Sequence, residues 1–158
     1  MPEVIPPESV QKFEIQKIYV KDISFETPGS PEVFTKNWNP KTDIHIHSEN
    51  MKLDEHVFEV CMTVQVTVTQ EKTTAYLVEI KQAGVFLLKN FNQEERSRLL
   101  GSHCPSILFP FAREVVSDLV LKGGFPQLLL NPVNFESLYQ QHVRALEEQT
   151  TKPGQTRH

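Results

Sequence analysis

The clearest signal along the chain is a period of two. Phe58, Val60, Met62, Val64, Val66 and Val68 alternate with Glu59, Cys61, Thr63, Gln65, Thr67 and Thr69. Successive strand side chains point to opposite sides, and β-branched residues suit a pleated surface. The run therefore predicts a strand with one packed face and one wet face. Gln70 to Lys72 predicts a tight turn, and Thr73 to Leu88 an antiparallel return strand with Gly84 as a bulge or bend. Upstream, Phe13, Ile15, Lys17 and Tyr19 alternate with Glu14, Gln16, Ile18 and Val20, and the run continues through Ile23 and Phe25. Its apolar phase is mixed, which predicts a half-buried strand carrying a bulge. The Pro/Gly/Ser segment from Thr27 to Pro31 ends it, and Asp43 to Ser48 predicts a weaker second strand.

The period then changes. Asn92, followed by Glu94 and Glu95, has the form of a helix start: a capping side chain, then acids near the positive end of the dipole. Leu99, Leu100, Ile107, Leu108, Phe111, Val115, Leu119 and Val120 recur mostly at spacings of three or four, the stripe of an amphipathic helix. Gly101, Pro105 and Pro110 interrupt the stripe and predict a kinked or broken helix. Lys122, Gly123 and Gly124 form a C-terminal stop. An apolar, proline-bearing connector follows from Phe125 to Phe135, and a last helix is predicted over about Asn134 to Glu148. Four antiparallel strands followed by two helices make an α+β layer arrangement. One helical layer leaves more apolar surface than a small monomer needs, which predicts self-association. Residues 1–11 and 149–158 read as flexible arms around a single domain at 12–148.

Composition narrows the function more than the fold. The chain has 158 residues, 39% apolar and 23% charged, as in an ordinary globular domain. The net charge of -4, without a dense Lys/Arg patch, argues against nucleic acid or an anionic membrane as partner. The N-terminal sequence has no basic stretch leading into an apolar core, and no apolar run approaches the ~20 residues of a membrane span. Cys61 and Cys104 are too few for a disulfide scaffold, although the sequence leaves a bond between them open. Together these features predict a reducing cytosol.

The search for chemistry yields no catalytic, cofactor or metal site. His45 and His47 share a strand face, but no cysteine pair or carboxylate signature accompanies them, and they read as solvated. His103 and Cys104 are neighbours on a helix and point in different directions, which is poor geometry for proton transfer. Gly123 and Gly124 follow a helix and lack a lysine after them, so they cap and do not cradle phosphate. The aromatic residues are more suggestive. Phe109, Phe111, Phe125, Phe135, Tyr139 and Trp38 either pack the core or line a groove that accepts many apolar side chains with little geometric demand.

Three stretches resemble the bacterial SecB protein-export chaperones. They are Ile18 to Glu26 (IYVKDISFE), Cys104 to Glu114 (CPSILFPFARE), and Gly124 to Leu128 (GFPQL) with Leu130 to Phe135 (LNPVNF), in the expected order over about residues 12–146. The resemblance implies a four-stranded antiparallel sheet with two helices per subunit, assembled as a homotetramer, a dimer of dimers. It implies a holdase without ATP or cofactor, which binds unfolded precursor polypeptides in the bacterial cytoplasm and hands them to the SecA ATPase. Asp22, Glu26, Leu77 and Glu79 match the family's acidic docking patch for the basic zinc-binding tail of SecA. Trp38, Phe125, Leu128 and Tyr139 match walls of its client grooves. The charge-mixed C-terminus, with Lys152, Arg157 and His158 after Glu147 and Glu148, departs from the more acidic tails of many relatives.

Overall fold

Two central strands, β3 (Val57–Gln70) and β4 (Thr73–Lys89), form a long hairpin in the computed structural model, which describes residues 4 and 9–151. Glu71 and Lys72 close the hairpin, both with positive φ (47° and 66°), the backbone a two-residue turn requires. β1 (Lys12–Glu26) pairs with β4, and β2 (Lys41–Asp54) pairs with β3, so the antiparallel sheet runs β1-β4-β3-β2. β2 extends well beyond the predicted Asp43–Ser48; as an edge strand, its exposed polar residues hide the alternation. The predicted arms lie largely outside the described residues.

The mixed phase of β1 resolves into two bulges. Register shifts fall between Ile15 and Lys17 and between Val20 and Asp22. Each inserts one residue and resets the parity of the strand. Phe13, Ile15, Ile18, Val20, Ile23 and Phe25 consequently stand opposite Leu88, Phe86, Gly84, Gln82, Ile80 and Val78, on one face of the sheet.

That face is the one the helical layer covers. The layer begins at α1 (Gln93–Arg98), passes through a π-helical turn (Leu99–His103) and continues as α2 (Cys104–Lys122). Asn92 and Glu95 form a capping box, with the Glu95 N–H donating to Asn92 Oδ1 at 2.8 Å. The interruption predicted as a kink or a break takes the form of this π turn. The Cys104 N–H donates to Leu99 O, five residues back, and this wide turn carries the helical path past Gly101 and Pro105. Every fourth residue from Leu100 through Cys104, Leu108, Ala112 and Val116 to Val120 is buried, while Phe111 lies off this seam and is exposed. The seam packs against Phe58, Val60, Met62 and Val64 of β3 and their neighbours on β4. Cys104, inside the seam, has its thiol pushed up to about 12 by burial, and both cysteines are free. At the far end Gly124 takes φ +87°, and the Phe125 N–H returns to Val120 O. The last helix, α3 (Phe135–Thr151), starts on Asn134, whose Oδ1 accepts from the Ser137 N–H at 3.0 Å.

Gly84 marks where helix and sheet come closest. It forms no bulge, since its pairing with both Ile18 and Val60 is regular. Instead, a Cβ there would lie 2.8 Å from the Phe86 ring and 3.1 Å from Leu108.

The opposite face has no layer over it, yet its centre is not open. Glu59 is only 9% exposed. Its carboxylate accepts from the Tyr19 hydroxyl and from Lys21 Nζ, the latter at 2.9 Å. These two hydrogen bonds hold the Glu59 carboxyl below the usual range against the opposing effect of burial. Burial, aided by Glu59, pushes the Tyr19 phenol up to about 12.

Two outcomes follow. Gly84→Ala is expected to lower stability by about 1–3 kcal/mol, because the buried Phe86 ring has nowhere to retreat; urea unfolding at fixed protein concentration measures it. Glu59 binds its proton less readily folded than unfolded, so its stabilisation is present above the usual carboxylate range and fades as the pH falls below about 4. The urea midpoints of parent and Glu59→Gln should therefore differ at pH 7, and the difference should shrink as the pH is lowered into the acid range.

Candidate functional site

Register alone brings the four predicted docking residues together. Glu26 stands opposite Leu77, Ser24 opposite Glu79, and Asp22 opposite Lys81. Directly paired residues share a face, and Phe25, Val78 and Ile80 occupy the other one. Asp22, Glu26, Leu77 and Glu79 thus form one patch two strands wide on the face without helices. Asp22 and Glu26 are exposed; Leu77 and Glu79 are half-buried. Gln65 of β3 donates to Glu79 Oε2 at 3.1 Å. Neither Asp22 nor Glu26 has an ion-pair partner among the described residues. A patch of this kind, with unpaired carboxylates beside one apolar side chain, suits a basic partner with a small apolar anchor.

The predicted groove residues fall in two places. Phe125 is the hub of an aromatic cluster, with Tyr76, Phe34 and Trp38 at ring-centroid distances of 4.7, 5.3 and 5.5 Å. Phe125 itself is buried, whereas Trp38 and Phe34 reach solvent. Leu128 packs at the margin of the core nearby, and Leu129 beside it is exposed. Tyr139 lies elsewhere, with its ring against the π turn, where a Cβ on Gly101 would come within 2.6 Å. There it helps line a cavity of about 650 Å³ between β2 and α3, with Ile46, Leu100, Phe135, Val143 and Leu146. α3 is fixed mainly at its start, by buried Phe135 against Phe109 at 5.7 Å and by Arg98 near Glu136 at 3.5 Å.

Several residues escaped the sequence reading. Ile46 and Leu146 form cavity wall, Phe34 completes the aromatic cluster, and Glu59 occupies the sheet centre. Two of them carried a signal: Glu59 as the one acid within the alternating run of β3, and Leu146 on the apolar stripe of the last helix with Tyr139. Among the described residues no three His, Cys, Asp or Glu side chains are grouped to hold a metal ion; His45 pairs with Asp43 at 3.1 Å. Among the same residues, no helix is long and apolar enough to cross a membrane.

Comparison with known proteins agrees with this geometry. The family model for preprotein translocase subunit SecB matches residues 7–146. A protein-export protein SecB from Methylococcus capsulatus is 55% identical over 139 residues, which is 88% of this chain and 90% of that protein. Another from Alcanivorax borkumensis is 49% identical over 152 residues, covering 94% and 97%. Among solved structures, the Mycobacterium tuberculosis Rv1957 SecB-like chaperone, in complex with a ChAD peptide from the Rv1956 HigA1 antitoxin, superposes with a TM-score of 0.64. It covers 77% of this chain and 90% of that one at 16% identity, a likeness of fold alone. With a family model spanning nearly the whole described domain and relatives about half identical along it, the chain belongs to the SecB family of protein-export chaperones.

Proposed function

We propose that this chain works in the bacterial cytoplasm as a homotetrameric holdase that binds unfolded precursor polypeptides and delivers them to SecA. It needs neither ATP nor cofactor. The observation that carries the reading is the division of labour between the two faces of one sheet. The helix-covered side keeps apolar side chains within reach of water, and the bare side presents unpaired carboxylates.

Clients meet two apolar surfaces. One is the β2–α3 groove with Tyr139; the other is the connector cluster with Trp38, Phe125 and Leu128. Each contact is small, about 25 cal/mol per Å² of apolar area removed from water, and none demands a particular sequence. A client that refolds buries the same side chains internally and so leaves the groove.

Self-association finds support in what one copy leaves open. Ile15, Val20 and Ile23 on the inner face of edge strand β1 are exposed, as are Phe111 and Leu121 on α2. Apolar surface and an unpaired strand edge together are a liability that further subunits remove. SecA docks on Asp22, Glu26, Leu77 and Glu79, where charge supplies steering and Leu77 an apolar contact.

Native mass spectrometry is expected to show four copies, with client added as one complex; a monomer without affinity for denatured chains contradicts the reading. Asp22→Lys with Glu79→Lys should weaken SecA binding by about tenfold or more at moderate salt and spare client capture. Equal affinity for SecA would remove this face from the docking role. Tyr139→Ala with Leu146→Ser should weaken capture of an unfolded precursor severalfold with the subunit number unchanged, measured by suppression of its aggregation at stoichiometric ratio without nucleotide.

A further inference from the structure

The second bulge of β1 raises a question about the docking patch. Two residues, Lys21 and Asp22, stand where β4 offers only Lys81. The bulge is what turns Asp22, and with it Ser24 and Glu26, onto the bare face; without it Asp22 would fall opposite Ile80, on the core side. It also brings the Lys21 cation to the bare face, where Lys21 Nζ reaches Glu59. Lys81 of β4 stands directly across from Asp22 on that face, and a second lysine next to Asp22 would add to the neutralisation of the carboxylate a basic partner must find.

It does not do so, because Glu59 holds it. Lys21 Nζ sits 2.9 Å from Glu59 Oε1, while the second carboxylate oxygen accepts from Tyr19. Glu59 stands opposite Val85, and Asp22 opposite Lys81. The Lys21 ammonium is committed to Glu59, and no ion pair joins it to Asp22 among the described residues. Glu59 is itself nearly buried, so it is poorly placed to compete for the partner's cations.

We infer that Glu59 is a positioning residue for SecA docking: it draws the Lys21 ammonium away from Asp22 and keeps a second cation, besides Lys81, off the acidic patch. The inference rests on the docking reading above. It assigns Glu59 no contact with SecA.

The test is a double-mutant cycle read by titration calorimetry with purified SecA. Glu59→Gln frees Lys21, and SecA affinity should fall about three- to fivefold, the scale of one exposed ion pair. The loss should shrink as salt rises. Adding Lys21→Met to Glu59→Gln removes the freed cation and should return the affinity to within about twofold of the parent. Lys21→Met alone should leave docking nearly unchanged, because its cation is already held, and this variant does not depend on Glu59→Gln folding. Subunit number and client capture serve as checks that the fold is intact. A loss that Lys21→Met fails to restore makes Glu59 merely structural and overturns the inference. So does a Lys21→Met single variant that binds SecA severalfold tighter than the parent. If Asp22→Lys with Glu79→Lys weakens docking while Glu59→Gln does not, the inference alone falls. If the charge reversal itself has no effect, the docking reading falls and takes the inference with it.

Discussion

A sheet covered by helices on one side must keep its apolar side chains on that side, and β1 meets this demand only through its two bulges. The rest of the molecule follows from that constraint. The bulges place Phe13, Ile18 and Phe25 beneath or beside the helical layer, and by the same step set Asp22 and Glu26 on the bare face. The close approach of helix and sheet depends on small residues at the crossing, Gly84 on β4 and Cys104 and Ala112 on α2. Packing density there leaves little room for adjustment. Apolar surface remains open along the sheet edges, at Phe34 and Trp38, on α2 at Phe111 and Leu121, in the connector at Leu129, and on α3 at Leu138 and Leu146.

Much of this was legible in the sequence, and the gaps have physical reasons. β3 announced itself because its alternation is unbroken and its apolar face packs completely, and the capping box at Asn92 and the glycine stop after Lys122 lay where the residue types placed them. β1 showed only a confused phase, since a bulge is an insertion in register and not a residue type. One bulge was inferred where two exist. Gly84 suggested a bulge or bend; its reason is the close approach of Leu108 on the helix, twenty-four residues away in sequence, which no local pattern records. Gly101, Pro105 and Pro110 argued for a kinked or broken helix, and the irregularity is a π turn that keeps the helical path continuous. Among the candidate site residues, the resemblance picked out Asp22, Glu26, Leu77 and Glu79, and the strand register sets them on one face. The groove residues could not be grouped in this way, because Phe125 folds into an aromatic cluster while Tyr139 travels with α3 to a different cavity.

On the proposed reading, the two faces use different physics for different partners. Apolar capture is non-directional and tolerates many sequences, which suits guests that share only the property of being unfolded. Charge complementarity is directional and salt-sensitive, which suits one recurrent partner. With the two on opposite sides of one sheet, as proposed, a loaded chaperone would present its acidic face without disturbing the guest. The buried Glu59 with Tyr19 and Lys21 lies between these roles, in the middle of the bare face, where it organises charge and contributes no apolar contact.

The central claim is that guest and motor occupy opposite faces of the same sheet. Hydrogen exchange read by mass spectrometry, on the assembled protein with an unfolded precursor and separately with SecA, tests it most directly. Backbone amides in paired strands are already protected, so the informative signals come from the edges, the connector and α3. The account predicts that the precursor slows exchange in β2, the connector after Gly124 and α3, while SecA slows it in the second half of β1 and the Thr73 end of β4. Overlapping footprints, with precursor and SecA protecting the same segments, would contradict it.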